Sequence, residues 1–273
     1  MPCPVGIGMT GAALHLQSTG QGPDLVLLHG WAMHSGYFEP IIEGLASHFR
    51  VHRLDLPGHG QSRDYPDPYS IENLAHEILA ALTPLLSGKA IWLGWSLGGS
   101  VATWIAAHVS SKVAALILVA SNPRFVQQPD WPHGVADAVL QEFADGLVND
   151  YKKTLLRFLS LQIRGAEHER ERLRQLRNQM HNAAAPETRV LNAGLEILRQ
   201  FDGRAWLRQL APPMLIIAGR KDTLVPVMAL ESIATAPGKA RLSIWETAGH
   251  APFLSNPERF INEVKAFADD VIA

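Results

Sequence analysis

Short apolar runs punctuate this chain, each closed by glycine, proline or polar residues. They lie at residues 24–28, 51–56, 90–94, 115–120, 213–218 and 240–245. Short runs with little polar alternation are the pattern of strands buried on both faces. Between them the apolar spacing lengthens to the helical period at 71–86, 99–108 and 257–271. Strands that alternate with helices build a parallel sheet covered on both sides. The alternation stops after Ser121-Asn122-Pro123 and resumes near Pro212. The stretch between carries no convincing strand and reads as four helices, near 135–147, 151–164, 167–181 and 187–200. The expected organisation is an α/β core over residues 1–122 and 206–273, with a mostly parallel central sheet. A four-helix insertion over 123–205 interrupts it. Placed there, the insertion lies over the C-terminal edge of the sheet as a lid that excludes water and builds a pocket.

Composition narrows the class without selecting a function. The 273 residues suit one large domain with an insertion, and 47% hydrophobic with 18% charged content is ordinary for a globular core. A net charge of −2 gives no reason to expect nucleic acid. No apolar run is long enough to span a membrane. The N-terminal MPCPVGIGMTG lacks the basic and apolar regions of a secretion signal. A cytoplasmic monomer is the expectation. Cys3 is the only cysteine, far in sequence from any candidate site, and is read as inert. Gly6-Ile7-Gly8-Met9-Thr10-Gly11 matches G-x-G-x-x-G, but no strand precedes it and residues 12–17 look like a strand. A dinucleotide cradle is therefore not expected. The 12 histidines include no H-E-x-x-H, and neither a metal nor a cofactor is expected.

The chemistry is concentrated where the third apolar run ends in Gly94-Trp95-Ser96-Leu97-Gly98. This is the G-x-S-x-G nucleophile elbow, a strand–turn–helix junction that pushes a serine hydroxyl out beside a helix N-terminus. Developing negative charge there meets unpaired N–H groups and the positive end of the helix dipole. A serine needs a base, and the base needs an orienting acid. In this arrangement they follow in the order Ser, Asp or Glu, His. Asp222 comes just past the run at 213–218, and His250 just past the run at 240–245. Both stand at the C-terminal ends of strands, where open α/β sheets place their sites. His250 is the expected base and must be neutral to act, so activity should fall on acidification. Asp222 would hold and stabilise the imidazole. The loop at His29-Gly30-Trp31 and the residue after the nucleophile supply the expected oxyanion donors, the backbone amides of Trp31 and Leu97. His29 is expected to order that loop, and His59 to belong to the turn Leu56-Pro57-Gly58-His59-Gly60.

From Tyr151 to Asn182 the chain carries eight basic residues (Lys152, Lys153, Arg157, Arg164, Arg170, Arg172, Arg174, Arg177) and three acidic ones (Glu167, Glu169, Glu171), a net of +5. A solvated helix face accounts for such a run, and so does an acidic partner docking beside the site entrance.

With these residues placed, the chain resembles an α/β-hydrolase. More narrowly, it is similar to the pimeloyl-[acyl-carrier-protein] methyl ester esterases of biotin synthesis. The resemblance covers nearly the whole length. It rests on LVLLHGW at 25–31, AIWLGWSLGG at 90–99, Asp130-Trp131-Pro132, Arg157-Phe158-Leu159 with Leu161-Gln162, GLEIL at 194–198 and His250-Ala251-Pro252-Phe253. It implies hydrolysis of a methyl ester on a pimeloyl chain carried by acyl carrier protein. It implies a substrate site made by Trp31, Ser96, Leu97 and His250, with an acyl pocket lined by Phe143, Phe158, Leu159, Ser160, Leu161 and Gln162. It also implies that Lys153, Arg157, Arg170 and Arg174 face the carrier. Lys153 departs from the expected arginine, keeping charge but losing the bidentate fork. A generic short-chain carboxylesterase, a carbon–carbon hydrolase with the same triad, and a non-enzymatic binding protein are the other readings. Dehalogenases and epoxide hydrolases need Asp where Ser96 stands.

Overall fold

The computed structural model describes residues 14–163, 169–182, 185–234 and 240–272. Cys3, the glycine motif at 6–11, Arg164 and Glu167 lie outside the described residues. Seven strands form one sheet: β1 (Leu16–Thr19), β2 (Asp24–Leu28), β3 (Arg50–Leu54), β4 (Ala90–Trp95), β5 (Val113–Val119), β6 (Met214–Gly219) and β7 (Ala240–Trp245). Their order is β1-β3-β2-β4-β5-β6-β7. β1 runs antiparallel to β3, and every other neighbouring pair is parallel. β2, β4 and β6 are buried along their whole length, which is why they are nearly continuous apolar runs in the sequence.

β1 differs from the expectation at 12–17. It begins at Leu16, where it pairs with Leu54. It is an edge strand with Gln17, Ser18 and Thr19 exposed, so no buried face imposes an apolar pattern on it. At its back, Asp24 and His52 are buried and bonded at 2.9 Å, with Ser18 on the other imidazole nitrogen and Ser87 on the carboxylate. This polar tie joins β1, β2 and β3.

The helices are α1 (Glu39–Ala46), α2 (Ile71–Leu82), α3 (Leu97–His108), α4 (Asp137–Asn149), α5 (Tyr151–Gln162), α6 (Glu169–Asn182), α7 (Thr188–Gln200), α8 (Arg204–Gln209), α9 (Val227–Ala234), α10 (Pro252–Ser255) and α11 (Pro257–Ile272). α1, α10 and α11 pack together, and α2, α3, α8 and α9 form a second group. α2 is capped by the Ser70 hydroxyl, which accepts from Asn73 N–H at 3.2 Å. It stops short of the periodic stretch because Pro84 has no N–H to continue it. α1, α8, α9 and α10 carry no legible period, since helices of eight residues or fewer are too short to show one.

α4 to α7 pack on one another between β5 and α8. The chain enters and leaves this bundle at one place. Gly203 N–H donates to the Pro123 carbonyl at 2.8 Å. Beside that bond, Arg124 and Arg204 both pair with Asp202, at 2.5 and 2.7 Å, and Arg204 also reaches Asp130 at 2.8 Å. Hydrogen bonds from Arg204 and then Arg124 hold the Asp202 carboxyl down at about 2. Among the described residues, no helix is long and apolar enough to cross a membrane.

Candidate active site

The strand order reverses at β2: β3 lies on one side of it and β4 on the other. The loops after β2 and β4 therefore open beside each other at the carboxyl ends of the strands, the usual crevice of an open α/β sheet. Register puts Leu28 against Gly94, so Trp31 and Ser96 follow from adjacent strand ends.

Ser96 sits at φ 55°, ψ −118° between β4 and α3. A residue with a Cβ holds a positive φ only where its surroundings over-determine it. Here they do. A Cβ on Gly94 would collide with the Gly98 carbonyl and Gly99, and one on Gly98 would collide with the carbonyls of Leu28 and His29. Only glycine lets the strand, turn and helix close this tightly. The Ser96 carbonyl accepts from Gly99 N–H at 2.9 Å and from the Ser121 hydroxyl at 2.9 Å. The side chain is left at the N-terminus of α3 without a capping bond.

Asp222 and His250 come from the loops after β6 and β7. The Asp222 Oδ1 accepts N–H bonds from Leu224 and Val225 at 2.8 and 3.0 Å, and Oδ2 receives His250 Nδ1 at 2.7 Å. A carboxylate only accepts, so this contact fixes the proton on Nδ1 and leaves Nε2 as the basic nitrogen. His250 Nε2 is buried and has no partner among the described residues. The His250 carbonyl is held by the indole N–H of Trp95, at 2.8 Å. The residue before Ser96 thus anchors the histidine loop. Ser96, Asp222 and His250 are 3%, 8% and 1% exposed. No hydrogen bond joins Ser96 to His250; catalytic hydrogen bonds are often long in ligand-free sites and tighten with substrate. The other common position for the acid, past β5, holds Ser121 and Asn122, and both are engaged locally.

Trp31 and Leu97 flank the elbow serine. Neither backbone amide donates to a backbone carbonyl among the described residues. His29 lies behind this loop, with Nδ1 on the Gly30 carbonyl and Nε2 accepting from Leu56 N–H, both at 2.8 Å. It ties the loop to the turn that contains His59, as expected.

A small apolar cavity opens on Ser96. Trp31, Phe143, Phe158, Leu140, Leu195 and Leu198 are among its walls. Phe143 and Phe158 are where the sequence reading put the acyl pocket. Leu159, Ser160, Leu161 and Gln162 do not line this cavity. Leu159 and Gln162 are buried, and the Ser160 hydroxyl is bonded to the Arg157 carbonyl. The backbone carbonyl of Gln162 accepts Ala251 N–H at 2.8 Å, next to His250. The leucines of α7 were missed as wall residues. Their signal was present: Leu195 and Leu198 fall one turn apart on a single face.

Lys153, Arg157, Arg170 and Arg174 are exposed on α5 and α6. Arg157 pairs with Glu142 at 3.0 Å, and Arg174 with Glu171 at 2.9 Å. Among the described residues, no group of three or more His, Cys, Asp or Glu side chains could hold a metal ion.

Residues 23–257 match the family model of the alpha/beta hydrolase fold. A protein of Nitrosomonas europaea, named pimeloyl-[acyl-carrier protein] methyl ester esterase, is 43% identical over 92% of this chain and 98% of its own length. The protein of the same name from Stenotrophomonas maltophilia is 43% identical over 93% of this chain and 96% of its own. The chain belongs to this esterase family of α/β-hydrolases. Its fold is also that of a solved esterase from Exiguobacterium antarcticum, with a TM-score of 0.85, 26% identity, and 94% and 95% of the two chains covered. Within the pimeloyl-[acyl-carrier protein] methyl ester esterase family, then, this member carries an elbow serine, a buried His–Asp pair and an apolar cavity at one end of the sheet.

Proposed function

We propose that this protein is a serine carboxylesterase that hydrolyses the methyl ester of pimeloyl-acyl carrier protein to pimeloyl-acyl carrier protein and methanol, a step of biotin synthesis. One observation carries the enzymatic part of the reading. An imidazole bonded to Asp222 at 2.7 Å keeps its second nitrogen unpartnered, and its loop is tied through the Trp95 indole to the turn that holds Ser96 at a positive φ. The substrate follows from the relatives, which match this chain over nearly their whole length and bear that name.

The chemistry runs in two halves. His250 Nε2 takes the proton of the Ser96 hydroxyl as the oxygen attacks the ester carbon. The carbonyl oxygen becomes an oxyanion between the amides of Trp31 and Leu97. The tetrahedral species collapses, the bond to the methoxy oxygen breaks, and His250 returns the proton so that methanol leaves. Water then attacks the acyl-serine with His250 again as base. The free carboxylate departs and Ser96 recovers its proton. Asp222 stabilises the imidazolium in both halves without itself taking the proton. The acyl chain lies in the insertion, against Phe143 and Phe158 and the leucines of α7 that share their cavity. The insertion acts as a lid, and Lys153, Arg157, Arg170 and Arg174 face the acidic carrier. The protein acts as a cytoplasmic monomer without a cofactor.

A generic short-chain carboxylesterase is the second reading. The observation in its favour is that Glu142 and Glu171 already engage two of the carrier-facing arginines.

Methanol release from the carrier-bound ester, set beside the same ester free in solution, tests both. The expected result is faster turnover of the carrier-bound ester, with Ser96→Ala, His250→Ala and Asp222→Asn each lowering kcat by roughly 10³-fold or more and combining non-additively. Equal turnover of the two esters would favour the generic esterase. Full activity in Ser96→Ala would refute both.

A further inference from the structure

Trp31 belongs to two parts of the molecule at once. Its backbone is in the loop after β2, where the oxyanion is expected to form. Its side chain is in the insertion. The indole Nε1 donates to the Leu191 carbonyl of α7 at 2.8 Å. The ring meets Phe158 of α5 edge-on at 4.9 Å and Phe143 of α4 at 6.0 Å. Gly194 closes the remaining side. A Cβ there would stand 2.7 Å from the indole Cδ1 and 3.1 Å from Nε1. The residue is 1% exposed.

The loop under this ring is not relaxed. Ala32, the next residue, is at φ 60°, a region that costs a residue with a Cβ free energy. Such a backbone persists only when its surroundings dictate it. The seat of the indole in α4, α5 and α7 supplies that constraint.

We infer that Trp31 is a positioning residue through which α7 sets the oxyanion amide, an inference that rests on the esterase reading above. With the insertion seated, the Leu191 carbonyl and the gap at Gly194 fix the indole. The indole in turn fixes the loop, and the residue 31 N–H stands where the oxyanion forms. With the insertion displaced, the indole loses its acceptor and the amide loses its bearing. The chemical step is then confined to acyl chains over which the insertion can settle. Specificity is exerted in kcat as well as in binding.

Hydrolysis of p-nitrophenyl butyrate by purified variants tests this, with thermal unfolding as the check on folding. Trp31→Phe keeps the amide and the ring contacts but deletes the Nε1 donor. Gly194→Ala leaves Trp31 untouched and drives a methyl group into its seat. Each should lower kcat about tenfold to a hundredfold while KM stays within about threefold, the split expected of a group that acts in the transition state. In a Trp31→Ala background no indole remains to be displaced. There Gly194→Ala should cost no further kcat. Should Trp31→Phe not fold, the paired Gly194→Ala measurements still decide.

Wild-type kcat in both single variants would overturn the inference. So would an equal loss from Gly194→Ala with and without the indole. Wild-type protein no more active than Ser96→Ala would mean that the esterase reading itself had failed, and the inference with it.

Discussion

His29 and His59 lie with ring centroids 5.4 Å apart, fully buried beside Asp55. Burial is the main reason that both lose basicity, His29 to about 3 and His59 to about 4. For Asp55, burial works toward protonation. It is outweighed by His29 and by N–H bonds from Gln61 and Ser35, so its carboxyl is held below the usual range. The sign of the pH effect follows. An unfolded histidine takes up a proton below about 6.5, whereas these two do not until well below that, so the unfolded state binds more protons across the interval. Stability is therefore fully present above pH 6.5 and is lost as the pH falls toward 4. The loss amounts to about 2 kcal/mol per histidine by pH 5. Melting curves should show Tm falling between pH 7.5 and 5, and His59→Asn should make that fall shallower whatever it does to Tm at neutral pH. A Tm that stays level to pH 5 would contradict neutral burial of the pair.

The elbow is the element in which local strain and chemistry coincide. Gly94→Ala sets a methyl group against backbone atoms of Gly98 and Gly99, and backbone cannot rotate aside as a side chain can. A loss of about 3 kcal/mol or more is expected, or a Tm lower by roughly 6–12 °C, together with lower activity in whatever folds. Unchanged melting would mean that the turn is looser than described. The same element explains why so much of the site was legible in the sequence. Glycine on both sides of Ser96 is a steric requirement, and strand ends carrying Asp222 and His250 follow from unbroken apolar runs. Elements without such requirements were harder to see. β1 has no buried face to impose alternation, and α1, α8, α9 and α10 are too short to display a period. The cavity was half-read for a related reason. Phe143 and Phe158 come only with the family resemblance, while Leu195 and Leu198 look like any other apolar helix face until something brings that face onto Ser96. Linear sequence also says little about which arginines find a glutamate, as Arg157 does with Glu142 across two helices.

Over the whole molecule, charge is uneven: a chain of net −2 carries a net of +5 between Tyr151 and Asn182. Exposed pairs such as Arg174–Glu171 are worth little in stability and leave the field of the patch largely in place. Replacing Arg157, Arg170 and Arg174 with alanine should raise KM for the carrier-bound ester roughly threefold to tenfold and leave a small free ester unaffected. Added salt should erode the wild-type preference in the same direction. Equal behaviour of the triple variant and wild type on both esters, at all salt concentrations, would assign these arginines to solvation alone. The junction at Pro123 and Gly203 has a different consequence. The bundle departs and returns at one place, where the Gly203 N–H meets the Pro123 carbonyl, so its removal would leave two chain ends that a turn of a few residues can join without disturbing any strand. Viewed as a hereditary unit, it is a cassette. Such a segment can be exchanged for another while the sheet stays intact, provided that the incoming bundle brings a seat for the tryptophan at the sheet's edge.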